Sequence, residues 1–129
     1  MLIRLIAAHP ALFVDGLPPF TSTLPEGWYA IAHTLCCSIE DRLTREQLAI
    51  CSVARITASL GKLDFTMMGI YPKAIDLLID GAGLLSRVTC QECGERPARF
   101  RGSKVNRTLC NFCELERCIR ENRAWAPKH

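Results

Sequence analysis

Four cysteines constrain this chain more than any other feature. Cys90 and Cys93 are separated by two residues, as are Cys110 and Cys113, with 16 residues between the pairs. This is the spacing of a four-thiolate zinc site. A tetrahedral ion needs four sulfurs at about 2.3 Å, and a two-residue gap lets one tight turn supply two of them. Gly94 follows Cys93 directly, where a knuckle needs a residue tolerant of positive φ. In the second pair, the run CNFCELERCIREN contains good helix formers and apolar residues at Leu115 and Ile119. Cys110 and Cys113 are therefore expected on the first turn of a terminal helix, where the dipole and free N–H groups favour thiolate. A knuckle, an intervening hairpin and a ligand-bearing helix start make a treble-clef-like finger holding one structural Zn²⁺. Cys118, beside Ile119, reads as a buried free cysteine.

The rest of the chain must build a core around that finger. Hydrophobic residues make up 49% and charged residues 22%, the balance of a globular chain rather than a disordered one. GWYAIAHTLCCSIEDRL predicts a helix over about residues 27–43. Its stripe is Trp28, Ile31, Ala32, Leu35, Ile39 and Leu43, at helical spacing. Loops precede it at Gly16 to Pro19 and in the run to Pro25. Thr44 to Gln47 has the pattern of a capping box, but the residues after it do not keep a helical period, so no helix is expected there. AICSVARITASLGKLDFTMMG reads instead as a hairpin about a Gly61-Lys62 turn. Leu60 then faces Leu63, Ala58 faces Phe65 and Ile56 faces Met67, with Thr57, Ser59, Asp64 and Thr66 on the other face. Cys51 is a strand residue. A second helix is expected over about residues 73–85, with Ile75, Leu78, Ile79, Ala82 and Leu85 covering the hairpin. Gly81 and Gly83 cost about 1 kcal/mol each and favour an early end. The fold class is thus α+β, an antiparallel hairpin packed by helices. Residues 1–86 form the core and 87–129 the zinc finger with its terminal helix.

Charge divides the same way. Residues 1–86 carry 6 Lys/Arg against 8 Asp/Glu (−2), whereas residues 87–129 carry 10 against 5 (+5). Arg96, Arg99, Arg101, Lys104 and Arg107 lie between the cysteine pairs, and Arg117, Arg120 and Arg123 follow. They either balance the net −2 of a four-thiolate site or present a basic loop to phosphates or an acidic protein surface. Phe100, among them, either stacks on a base or packs the finger's small core.

No apolar run approaches the roughly 18 residues of a membrane span. The start, MLIRLIAAHPALFVDG, is interrupted by His9 and Pro10 and reads as a short amphipathic helix rather than a signal peptide. Without export, eight cysteines point to metal binding or buried thiols in a cytoplasmic setting rather than to disulfides. His33, Cys36 and Cys37 fall at i, i+3 and i+4 of the first long helix, a possible second metal cluster. Cys36 and Cys37 are adjacent and cannot both face one way, so ordinary helix packing is the expectation there. Asp76 and Asp80 share a helix face, as solvated carboxylates commonly do. The histidines are His9, His33 and His129, and none lies at the finger as a treble-clef nuclease requires. No nucleophile elbow or phosphate-binding glycine motif appears, so no enzyme and no catalytic residue is expected.

PEGWYAIAHTLCCSIE, the hairpin, the following helix, TCQECG and RTLCNFC, taken in order, resemble a group of small phage and prophage zinc-finger proteins. Gly27-Trp28-Tyr29, Leu35-Cys36, Thr89 to Gly94 and Thr108 to Cys110 carry the likeness, which spans about residues 5–113. The chain departs from the group over Ser52 to Phe65, where a basic, glycine-rich strand becomes SVARITASLGKLDF. The resemblance implies phage origin, zinc binding and a bacterial host cell. It leaves activity open; in a phage protein, a rigid, zinc-stapled basic surface without catalytic residues makes the leading expectation an inhibitor docking on a host protein or ribonucleoprotein complex, for example an anti-CRISPR or other counter-defence protein. The alternative is a nucleic-acid binder or small transcriptional regulator using Arg96 to Arg107. A third reading is a finger with no ligand beyond zinc.

Overall fold

A computed structural model describes residues 1–14 and 22–125; the loop at Gly16 to Pro19 and the terminal His129 lie outside them. The chain opens with α1 (Leu2–Ala8), then a 3₁₀ turn (Glu26–Trp28) running directly into α2 (Tyr29–Arg42). A single turn, α3 (Arg45–Leu48), leads to the hairpin β1 (Cys51–Ser59) and β2 (Lys62–Gly69), and then to α4 (Ala74–Ser86). The expected stripe of α2 is the centre of the core: Trp28, Ile31, Ala32, Leu35, Ile39 and Leu43 are all buried. They meet Leu5, Leu12 and Phe13 from the N-terminal segment, Val53, Ile56, Leu63, Phe65 and Met67 from the hairpin, and Ile75 from α4. The fold is therefore α+β, with an antiparallel hairpin covered by helices.

The hairpin differs from its expected register by two residues. Ala58 pairs with Leu63, Ile56 with Phe65 and Ser59 with Lys62, and a bulge between Val53 and Arg55 brings Val53 opposite Met67. The turn is Leu60-Gly61, both at positive φ (50° and 77°), as a primed two-residue turn demands. A slip of two keeps the paired strand residues on their own faces, so Ala58, Ile56, Leu63, Phe65 and Met67 still point inward and only their partners change. Leu60 leaves the apolar face and is exposed at the tip.

Two further expectations are corrected. Thr44 and Gln47 do form a capping box: the Gln47 N–H donates to Thr44 Oγ1 (3.2 Å) and the Thr44 N–H to Gln47 Oε1 (2.8 Å). The helix it starts is one turn long, too short for any period to show. Nor does α4 end early. It runs through both glycines to Ser86, whose hydroxyl donates to Gly83 O (2.6 Å) and accepts from Leu63 N–H (2.8 Å), tying the helix to β2.

Candidate metal centre

The finger is built from a turn, a small hairpin and a helix. β3 (Ala98–Phe100) and β4 (Thr108–Cys110) pair antiparallel on either side of a short helix, α5 (Gly102–Val105), and β4 leads directly into α6 (Asn111–Trp125). Cys90 and Cys93 sit on the knuckle that precedes β3. There the Gly94 N–H donates to Cys90 O (3.0 Å) and the Cys90 N–H to Glu95 O (2.9 Å). Gly94 takes the positive φ, 81°, that the sequence assigns to it. Cys113 lies on the first turn of α6, but Cys110 is the last residue of β4 rather than helical. The strand register fixes its direction by pairing it with Ala98. Gln91 locks the knuckle to β4. Its N–H donates to Thr108 O (2.8 Å) while its side-chain oxygen accepts from Thr108 N–H (2.7 Å).

These elements bring the four sulfurs together, all within 4.8 Å of one another. Cys93 Sγ and Cys110 Sγ are 3.7 Å apart. Four thiolates around an ion with metal–sulfur bonds of about 2.3 Å stand about 3.8 Å from each other. The separation is far beyond a disulfide's roughly 2 Å, and all eight cysteines are free thiols. The donor set thus fits a single tetrahedral metal ion. Burial raises the Cys90 thiol, yet backbone N–H groups of Cys110, Cys93 and Glu92 outweigh it and bring the thiol down to about 7. Donors aimed at a sulfur favour its charged form. Cys93 and Cys113 go the other way, raised first by burial. The Cys113 N–H also points at Cys110 Sγ (3.5 Å).

The basic residues separate into different roles. Arg101 is bound inside the finger: Nε and Nη2 donate to Leu109 O (3.2 and 3.0 Å), and Nη2 also donates to Asn111 Oδ1 (2.9 Å). It thereby clamps the β4–α6 junction that carries Cys110 and Cys113. Arg107 pairs with Glu92, and Arg117 with Glu114 (2.5 Å) and Glu121 (2.7 Å). Arg96 donates from Nε to Thr89 Oγ1 (3.1 Å) and remains exposed, as does Arg99. The side chains of Lys104 and Arg123 lie outside the described residues. Phe100 is half-exposed, and its ring lies over Gly61 at the tip of the β1–β2 hairpin. Cys118 is exposed rather than buried, as are Ile119 and Arg120 after it on α6.

The second cysteine cluster also rearranges. Cys36 is fully buried in the core, and its thiol is pushed up to about 12 by burial and then by the charges of Glu40 and Cys37. It is a packing residue. Cys37 and His33 lie on the adjoining, half-buried face of α2 and meet His9, which follows α1. His9 carries no signal in the sequence, because the contact joins positions 24 residues apart.

No protein-family model, curated protein or solved structure matches this chain at a significant level. Among the described residues, no helix is long and apolar enough to cross a membrane.

Proposed function

We propose that the protein is a non-enzymatic interaction protein whose finger binds one structural Zn²⁺ and thereby presents α6 to a protein partner. The observation that carries this reading is the stripe of Phe112, Leu115 and Ile119 along α6, exposed by 67%, 59% and 43%. They recur at i, i+3 and i+7, so they share one helix face. Such a stripe is the footprint of a helix that binds a groove. Four protein thiolates close a tetrahedral site and leave no position for substrate, which supports a structural role for the ion. Zinc is the ion that a redox-inert four-sulfur site of this spacing best suits.

A phosphate-binding loop fits less well. Arg101 and Arg107 are engaged within the finger, leaving Arg96 and Arg99 as the exposed cations between the cysteine pairs whose side chains are described. The finer reading, a phage-derived inhibitor of a host complex such as an anti-CRISPR protein, rests on the sequence resemblance alone.

The test is affinity capture from nuclease-treated bacterial lysate with the zinc-loaded protein and with Leu115→Glu and Arg99→Glu variants. One dominant protein or complex should survive nuclease, be lost with Leu115→Glu and be retained with Arg99→Glu. Loss of every partner on nuclease treatment, with sensitivity to Arg99→Glu and a steep salt dependence, would move the assignment to nucleic acid.

A further inference from the structure

We propose that His9, His33 and Cys37, with Glu40 behind His9, form a second metal site, independent of the four-cysteine centre. Its ligand would be a borderline divalent transition-metal ion of the zinc, cobalt or nickel class. The four side chains make one connected path. Glu40 Oε1 lies 2.5 Å from His9 Nδ1, His9 Nε2 lies 2.8 Å from His33 Nδ1, and His33 Nε2 lies 3.8 Å from Cys37 Sγ. In the neutral tautomer that donates its Nδ1–H to Glu40, His9 carries a lone pair on Nε2, which accepts from His33 Nδ1–H (2.8 Å), the bond that an ion bound there would replace. A carboxylate holding the far nitrogen of an imidazole is the usual support of a metal-ligating histidine, since it fixes the tautomer and raises the ligand's basicity.

The ligand atoms of His9, His33 and Cys37 all lie within 4.8 Å of one another. The His33 ring is held in place by Tyr29, stacked on it at 5.8 Å with the planes 8° apart, and Arg4 lies 4.4 Å over the Tyr29 ring. His9 is 3% exposed, whereas His33 and Cys37 are half-buried and the Glu40 side chain is 28% exposed. The site therefore has a firm inner wall and an open outer side. Two imidazoles and one thiolate leave a fourth position for water, the ligand count of an open site rather than a closed one. This donor set selects against magnesium and calcium, which take oxygen ligands. Binding releases the Cys37 thiol proton to solvent, and the sulfur's lone pair then bonds to the ion.

The experiment titrates Co²⁺ into the full chain with its four-cysteine site already loaded with zinc. It is followed by native mass spectrometry, visible absorption and released zinc. The expected result is one further equivalent per chain, with a thiolate-to-cobalt charge-transfer band and no zinc released. Cys37→Ser should abolish that band and His33→Ala the second equivalent. Glu40→Gln should weaken uptake about 10–100-fold while leaving the band in place. Retention of one zinc in each variant reports an intact finger, so that loss of the second ion is not confused with unfolding. A stoichiometry that stays at one metal, uptake matched by released zinc, or equal uptake in the wild type and both ligand variants would overturn the proposal.

Discussion

A Cβ on Gly27 would overlap the carbonyl oxygen of Cys90 and stand 2.7 Å from the backbone nitrogen of Gly94. Both neighbours are main chain of the knuckle and cannot swing aside. Gly27→Ala is therefore expected to destabilise by about 3 kcal/mol, at the upper end for overpacking, and to weaken zinc retention although it touches no ligand. Urea midpoints and metal analysis check both. At the ligands, Cys90→Ser should lose zinc and Cys118→Ser should keep it, because Cys118 stands exposed on α6 outside the four-sulfur cluster. Cys90 also sets a pH window. Its thiol is lowered in the fold to about 7 from an ordinary value of 9.0, so the stabilisation it contributes is present above 9.0 and is lost as pH falls through about 7. Proton competition at Cys90 should weaken zinc binding as pH falls below about 7, whereas Cys93 and Cys113, both raised by burial, must give up their protons to zinc already at neutral pH; titration against a competing chromogenic chelator follows both. Single residues were legible where one backbone demand acts, as at Gly94. His9 was not, because its partners come from an element 24 residues away.

At the scale of elements, α2 was readable because a full stripe repeats over four turns, and the hairpin because alternation sorts its two faces. Neither signal measures a slip of two. Period-two patterning is unchanged by it, and the choice falls to contacts that strands do not advertise. Here they include the tip, where Thr108 Oγ1 donates to Gly61 O (2.7 Å). The capping box of α3 was visible but unsupported by any period, since one turn has none to offer. The two glycines of α4 show how little residue type says without surroundings. A Cβ on Gly81 would meet nothing within 4 Å, whereas one on Gly83 would stand 2.7 Å from Lys62 Cε, the movable end of a long side chain. Gly81→Ala is accordingly expected to stabilise the protein by about 1 kcal/mol through helix propensity. Gly83→Ala should gain less, since Lys62 must shift. Thermal unfolding of the two variants, compared with wild type, decides it.

Across the whole molecule, finger and core are joined on two sides. The Trp28 indole N–H donates to Thr89 O (2.8 Å) and the Gly27 N–H to Gln91 O (2.8 Å), while Thr108 reaches the hairpin tip. Chelation should therefore lower the stability of the entire chain in one transition rather than melt the finger alone, as read by calorimetry with and without chelator. Thr108→Val leaves Gly61 O without that donor at a buried contact and should cost about 1–3 kcal/mol, with the zinc content unchanged. The division of the chain by charge and by cysteine spacing is real as chemistry, but these bonds cross it. Trp28 has a further consequence for anyone who would cut or graft this protein. Its buried N–H finds its acceptor three residues beyond Ser86, so a fragment ending with α4 carries an orphaned donor at the centre of its core. The finger lifted onto another scaffold would lose the tryptophan it was shaped against. The two parts were fitted to each other, and neither is portable alone.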